Sequence, residues 1–315
     1  MKRWLICLGV VMGCLAPVAP TRSAEDSVPL KIISYNIQFL PGPAQLVNKR
    51  GNNEYRAKTI GERLTEFDIV GLNEAFEERH RSLVLEQFQK AWGKDYHAVV
   101  GPEPKESWRY NGGLAILTKL PILESHDMIY KNISLPKDYG AGADGFASKG
   151  VLHARVGWGD SKEVFLDVFV THMEARDDSI RELQYVEMGN FIREHAAPNA
   201  PMLVLGDMNT RGNPEYMTNP EAPYHRLLKN LGSSRPMGSF LDLWPHLEKG
   251  PGGTSKQSKT DGGSRIDYVF FSNPMEGASA LVPLKIEVDP YFDPKVVALS
   301  DHSAVKADFN WKRKK

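Results

Sequence analysis

The strongest constraint on the fold is a succession of short runs rich in Val, Ile, Phe and Tyr, with helix-patterned segments between only some of them. The runs are "LKIISYNI", "DIVGLNE", "YHAVVG", "GLAILT", "GVLHARV", "EVFLDVFVTH", "PMLVLGD", "RIDYVFF", "ALVPLKIEV" and "SAVKADF". Each has the length and composition of a strand. Three segments place apolar residues at three- and four-residue spacing: "NEYRAKTIGERLTEF", "ERHRSLVLEQFQKAW" and "DDSIRELQYVEMGNFIREH". The last opens on acids, which suit a helix N-terminus. A purely parallel sheet needs a long crossover between strands, and the neighbouring runs of residues 150–172 leave no room for one. The pattern therefore predicts two mixed sheets packed face to face, with helices outside. No linker breaks the chain after residue 30. The Gly, Ser and Lys-rich "EKGPGGTSKQSKTDGGS" reads as a surface loop.

Polar residues stand where these runs end or begin. "ISYN" ends in Asn36, "VGLNE" in Asn73 and Glu74, "VFVTH" in His172, and "VLGDMN" in Asp207 and Asn209. "RIDYVF" carries Asp267 near its start, and "LSDH" sets Asp301 and His302 before the last run. Any one of these could be a turn residue or a cap. Together they place acids, amides and imidazoles at one sheet edge. Glu74, Asn36 and Asp301 make an oxygen-rich set suited to Mg²⁺, which takes few carboxylates and shares its other positions with water and phosphate. Two histidines can exchange a proton with an attacking water and a leaving alkoxide. Asp207 and Asn209 are two apart, so an extended exit would point both to one face. There an acid can hold a water or a histidine while an amide donates to a phosphate oxygen. The chemistry inferred is metal-assisted phosphodiester hydrolysis by water.

Composition narrows the alternatives. The only cysteines are Cys7 and Cys14. They lie in "MKRWLICLGVVMGCLAPVAP", a basic start and apolar core that reads as an export signal ending near residue 23. A rival reading takes "VMGC" as a lipoprotein box, with Cys14 acylated. A mature chain 24–315 would be one catalytic domain, secreted or periplasmic; on the rival reading cleavage falls before Cys14 and the chain is anchored through it. A chain 24–315 has no disulfide, zinc thiolate or cysteine nucleophile. Without Lys2, Arg3 and Arg22 it holds 36 basic and 39 acidic residues, a net charge of −3. That is not the basic excess of a nonspecific nucleic-acid binder.

The ordered series "SYN", "LNEAF", "NGGLAILTK", "THMEA", "LGDMN", "RIDYVF" and "SDH" resembles the endonuclease/exonuclease/phosphatase superfamily, whose type member is deoxyribonuclease I. The resemblance implies a four-layer α-β-β-α sandwich. It implies that Asn36 and Glu74 bind metal with Asp301 nearby, and that His172, Asp207 and Asn209 contact the phosphate and its nucleophile. His302 would be the general base, oriented by Asp267. The cofactor implied is Mg²⁺, with Mn²⁺ or Co²⁺ as alternatives. "LNEAF", in place of the "LQE" usual in nucleases, together with "DGFASKGVLHARV", is similar to the neutral and bacterial sphingomyelinase branch. That branch implies a partner surface of sphingomyelin-bearing membrane; nucleic acid is the less favoured substrate, and no protein partner is inferred. A binding module without catalysis would be expected to lack His172, Asp207 or His302. Finally, "DPYFDP" between two strand-like runs resembles the aromatic-tipped hairpin of this branch, which makes Tyr291 and Phe292 the expected membrane contacts.

Overall fold

The computed structural model describes residues 27–42, 44, 50–107, 109–140, 143–159, 161–235, 238–255 and 263–314. The segment 1–23 expected to direct export, with Cys7 and Cys14, lies outside these residues, as does part of the Gly, Ser and Lys-rich loop.

The first sheet contains β1 (Ser27–Phe39), β2 (Ile69–Ala75), β3 (His97–Gly101) and β4 (Leu114–Thr118). The second contains β5 (Ile122–Ile129), β6 (Gly150–Trp158), β7 (Ser161–His172), β8 (Met202–Asp207), β9 (Gly238–Asp242) and β10 (Asp267–Pro274). The chain then returns to the first sheet with β11 (Ser279–Asp289), makes a small ribbon of β12 (Phe292–Asp293) and β13 (Val297–Ala298), and ends in β14 (Ala304–Arg313). The orders are β11-β14-β1-β2-β4-β3 and β5-β6-β7-β8-β10-β9.

The two sheets share one plan. Each has a single parallel pair at its centre, β1 with β2 and β7 with β8, and antiparallel neighbours on both sides. A parallel pair needs a crossover, and a helix supplies each one: α1 (Asn53–Leu64) joins β1 to β2, and α3 (Asp178–His195) joins β7 to β8. α2 (Glu78–Trp92) packs beside α1, and α4 (Pro223–Ser234) beside α3. The Asp177 side chain caps α3 by accepting from the backbone N–H of Ser179 and Ile180 at 2.8 and 3.1 Å, as its acidic opening predicts.

Strand alternation divides the core into three layers. Ile32, Ile69, Ile116, Val168, Leu203 and Val305 fill the space between the sheets. Ile33, Tyr35 and Val70 face Ile60, Leu64 and Phe88 of the first helix pair. Phe169 and Val204 face Tyr185, Met188 and Leu227 of the second. The result is an α-β-β-α sandwich. The sheets approach closely at Gly71, where an added Cβ would stand 2.9 Å from Val170 Cγ2 and 3.1 Å from Leu205 Cδ1. Only a hydrogen fits in that gap.

Three expectations change. Edge strands β5 and β9 and helix α4 were not read from the sequence. The segment 248–264 is not simply a surface loop, because Thr254 and Ser255 within it are buried. And the aromatic pair does not share a tip. β11 runs alongside β14 as a sheet strand rather than folding back on the run before "SDH". Tyr291 is only 6% exposed, its ring 5.4 Å from that of Tyr35 with the Lys306 ammonium 4.9 Å from its centre. Only Phe292, 69% exposed, faces outward; on the facing strand of the ribbon Val297, opposite Asp293, is 76% exposed.

Candidate active site

Register explains how residues far apart in sequence meet. Asn36 and Asn73 stand abreast on the parallel pair of the first sheet, with Glu74 one residue further on. His172 and Asp207 stand abreast on the parallel pair of the second sheet, and Asp267 is opposite Asp207 on the next strand. His302 lies two residues before β14, which pairs with β1. Parallel central strands put their C-terminal ends on the same side, and antiparallel neighbours contribute their N-terminal ends there. One edge of the sandwich therefore collects Asn36, Glu74, His172, Asp207, Asp267 and His302.

Side chains bridge the two sheets at this edge. Asn36 Nδ2 donates to Asp207 Oδ2 at 3.1 Å, and Asn73 Nδ2 donates to the Thr171 carbonyl at 2.7 Å. His302 Nδ1 lies 2.8 Å from Asp267 Oδ2. His302 Nε2 and His172 Nε2 are each 3.8 Å from Asp207 Oδ2, and His172 Nε2 is 3.9 Å from Glu74 Oε1. Those longer separations exceed a hydrogen bond and leave room for a third atom between the groups. Ligand atoms of Glu74, His172 and Asp207 lie within 4.8 Å of one another, as do those of Asp207, Asp267 and His302.

Burial and crowding set the charges. Burial, reinforced by the nearby Asp301 carboxylate, pushes the Glu74 carboxyl up to about 7. Burial and then Asp267 raise Asp207. Burial and the Lys149 ammonium pull His172 down to about 3, so its imidazole is neutral. Burial alone would lower His302, but the Asp267 carboxylate outweighs it through charge and hydrogen bond and holds the imidazole well above its ordinary value. Such an edge is short of positive charge, and its donors are oxygen and imidazole. Both features fit a divalent cation at Glu74 and Asn36.

The backbone is strained at the same place. Glu74 and Asn209 take left-handed conformations, φ 56° and 46°, as does Gln38 at 53°. Non-glycine residues adopt this region at a cost, and functional sites are where it collects. It also corrects one expectation. The exit beyond Asp207 is not extended, so Asp207 and Asn209 are not aligned by strand alternation. The Asn209 N–H instead turns back to Asp207 Oδ1 at 2.9 Å, and its side-chain amide donates to the Met173 carbonyl at 2.9 Å.

Asp301 is held by Gln38, whose Nε2 donates to Asp301 Oδ2, while Arg50 Nη1 donates to Gln38 Oε1 at 2.9 Å. Gln38 was not singled out from the sequence, nor was Lys149. The Lys149 ammonium donates to Asp144 Oδ2 at 2.6 Å and to the Met173 carbonyl at 2.8 Å, next to His172. Asn73 was noticed only as part of the exit. The sequence signal for Lys149 was its place in the Ser-Lys-Gly of "DGFASKGVLHARV", directly before β6, one of the segments that carry the resemblance.

Comparison with known proteins agrees with this geometry. The model of the endonuclease/exonuclease/phosphatase family matches residues 33–302. A sphingomyelinase C of Bacillus cereus is 28% identical over 262 residues, covering 75% of this chain and 74% of that protein. Sphingomyelinase C 2 of Leptospira interrogans is 27% identical over 211 residues, covering 60% of this chain but only 32% of that protein. The matched part thus spans about a third of that longer relative. Among solved structures, a Staphylococcus aureus beta toxin variant with bound magnesium ions superposes with a TM-score of 0.63 at 21% identity, covering 89% of this chain and 99% of that one. D. rerio TDP2 complexed with a single-strand DNA product gives 0.61 at 17% identity, covering 89% and 98%. A toxin with bound magnesium and a DNA-bound neighbour match almost equally, so these superpositions speak for the fold alone. With the family model spanning nearly the whole sandwich and its site edge, the chain belongs to the endonuclease/exonuclease/phosphatase family.

Proposed function

We propose that the protein is a Mg²⁺-dependent sphingomyelin phosphodiesterase that hydrolyses sphingomyelin to ceramide and phosphocholine. We propose that residues 1–23 export it and that residues 24–315 form the catalytic domain. The observation that carries the chemistry is the Asp267–His302 pair, 2.8 Å apart, facing Asp207 across from Glu74 and His172. The substrate rests on the sphingomyelinase C relatives, which match over most of this chain.

Asp267 accepts the Nδ1 proton of His302 and so leaves Nε2 as the atom that takes the proton of an attacking water. Asp207, 3.8 Å from that Nε2, orients the water. Neutral His172 and the Asn209 amide donate to the phosphoryl oxygens, which carry the charge of the transition state. The water oxygen bonds to phosphorus, the bond from phosphorus to the ceramide oxygen breaks, and the ceramide oxygen takes up a proton. Glu74 and Asn36, with Asp301 beside them, would hold Mg²⁺. Bound there, Mg²⁺ would supply Lewis-acid charge to the phosphate and lower the raised Glu74 and His302. Phe292 and Val297, each exposed on the two-stranded ribbon, would give the membrane an apolar foothold.

The test is parallel incubation of the purified protein with sphingomyelin, phosphatidylcholine and plasmid DNA, with Mg²⁺ and with EDTA. Phosphocholine release from sphingomyelin alone, abolished by EDTA, supports the reading. DNA cleavage in its place would assign the protein to the nucleases of the family.

A further inference from the structure

Asp267 and His302 belong to different sheets. Asp267 opens β10 of the second, His302 precedes β14 of the first, and no strand-to-strand ladder joins the two sheets. Their 2.8 Å contact therefore depends on something that registers the two sheets at this edge. Beside the Asn36 and Asn73 side chains, which cross to Asp207 and Thr171, the backbone that does so is that of Thr254 and Ser255, 1% and 2% exposed, in the segment whose composition reads as a loop. Their N–H groups both donate to the Ser264 carbonyl, at 3.0 and 2.9 Å, on the β10 side. On the β14 side, the Thr254 carbonyl accepts from the Ser303 N–H at 2.7 Å, and Ser255 forms a β-bridge with His302. The pair is a strap one strand wide between the two halves of the site.

The Thr254 hydroxyl does more than fill space. Its oxygen accepts from the Ile266 N–H at 3.2 Å and the Asp267 N–H at 3.1 Å, and it donates toward the Ser264 carbonyl at 3.4 Å. One donor and two acceptor sites are the whole capacity of a hydroxyl, and all are in use. The Ile266 carbonyl in turn accepts from the Met208 N–H at 2.9 Å, which ties the Asp207 exit to the same frame.

We infer that Thr254 is a positioning residue for the hydrolysis. Its hydroxyl fixes the backbone of Asp267 and its carbonyl fixes the backbone after His302, so that one residue sets the geometry of the acid–imidazole pair. The inference rests on the reading of Asp267 and His302 as the base pair. The physical case is that a buried N–H seeks a partner. Without the hydroxyl, the Ile266 and Asp267 N–H groups must shift to find one, and catalytic groups lose rate steeply for displacements near 1 Å.

The test compares Thr254→Val, which keeps the shape and removes the hydroxyl, with Thr254→Ser, which restores it. Three readouts are taken: kcat and KM on sphingomyelin in mixed micelles, the thermal midpoint, and the low-field proton resonance of His302 Nδ1–H in the substrate-free protein. Thr254→Val should lower kcat about 10- to 100-fold with KM within about 2-fold, and should shift or broaden the resonance. Thr254→Ser should return kcat to within about 3-fold of the parent and restore the resonance. If Thr254→Val does not fold, Thr254→Cys replaces it, since a thiol of similar size is a weak acceptor. Unchanged kcat and resonance in the hydroxyl-free variant, or a serine variant no better than it, overturns the inference. The resonance separates this failure from that of the proposed function. A shifted resonance in a protein inert to sphingomyelin keeps the positioning role and removes the substrate. An unshifted one in an active sphingomyelinase removes the positioning role alone.

Discussion

Replacing Tyr291 by alanine tests whether this aromatic belongs to the core or to a membrane-facing tip. The ring is buried between Tyr35 and Lys306, beneath the sheet residues that pack α1. Truncating a buried aromatic to alanine costs about 3–5 kcal/mol through lost transfer energy and the cavity left behind. In a domain of this size that lowers the thermal midpoint by about 2 °C per kcal/mol, or about 6–10 °C in all. The phenol adds a second, oppositely directed expectation. Among the described residues the Tyr291 hydroxyl is buried without a hydrogen-bond partner, and burial pushes its acidity far out of range. Tyr291→Phe removes that unsatisfied group while keeping the ring, so it should be neutral or stabilising, by up to about 1 kcal/mol. Phe292→Ala, on an exposed side chain, should leave the midpoint within about 1 °C. Thermal melts followed by tryptophan fluorescence, with urea titrations beside them, read all three variants. A Tyr291→Ala protein as stable as the parent that loses activity only on liposomes would refute the packing argument and return Tyr291 to the membrane surface.

Three further outcomes follow from the site and its frame. Asp267→Asn should reduce kcat by about 10²–10⁴, because the imidazole loses the partner that fixes its tautomer; steady-state kinetics with a folded protein checks it, and normal turnover would take the pair out of the mechanism. Gly206 has φ 130°, and a Cβ there would meet the Thr171 carbonyl oxygen at 2.0 Å, so Gly206→Ala should cost about 3 kcal/mol or more in urea denaturation and displace both His172 and Asp207. Burial would raise the Asp144 carboxyl, but Lys149 outweighs it and brings the pKa down to about 2. A depressed folded pKa gives stability that is complete above the unfolded value of about 3.9 and lost as pH falls through about 2. Asp144→Asn should flatten the urea midpoint across that window, and an identical acid profile would show that the Lys149 contact carries no linkage.

The strands and the site edge were legible for the same reason. Apolar runs of strand length that end in Asn36, Glu74, His172 and Asp207 name both the element and the chemistry at its end, and the crossover requirement orders the rest. What stayed illegible depends on partners remote in sequence. Tyr291 lies among acids and prolines, and only the ring of Tyr35, far upstream, shows that it is core. Thr254 sits in a stretch of Gly, Ser and Lys, and nothing local says that its hydroxyl caps the start of β10. Lys149 and Gln38 act through contacts to Asp144, the Met173 carbonyl, Asp301 and Arg50 that have no periodicity. β5 was missed because an edge strand mixes exposed Glu124, Ser125 and Asp127 with its apolar residues and loses the alternation of a half-buried strand. Asn209 was placed correctly at the edge but by the wrong geometry, since alternation cannot foresee a left-handed residue.

The central claim is that water, activated at this edge, attacks the phosphorus of sphingomyelin. Hydrolysis of sphingomyelin liposomes in ¹⁸O-labelled water with Mg²⁺, read by mass spectrometry of both products, tests it directly. The account predicts one labelled oxygen in phosphocholine and none in ceramide. Label in the ceramide hydroxyl, or no phosphocholine at all, would contradict it.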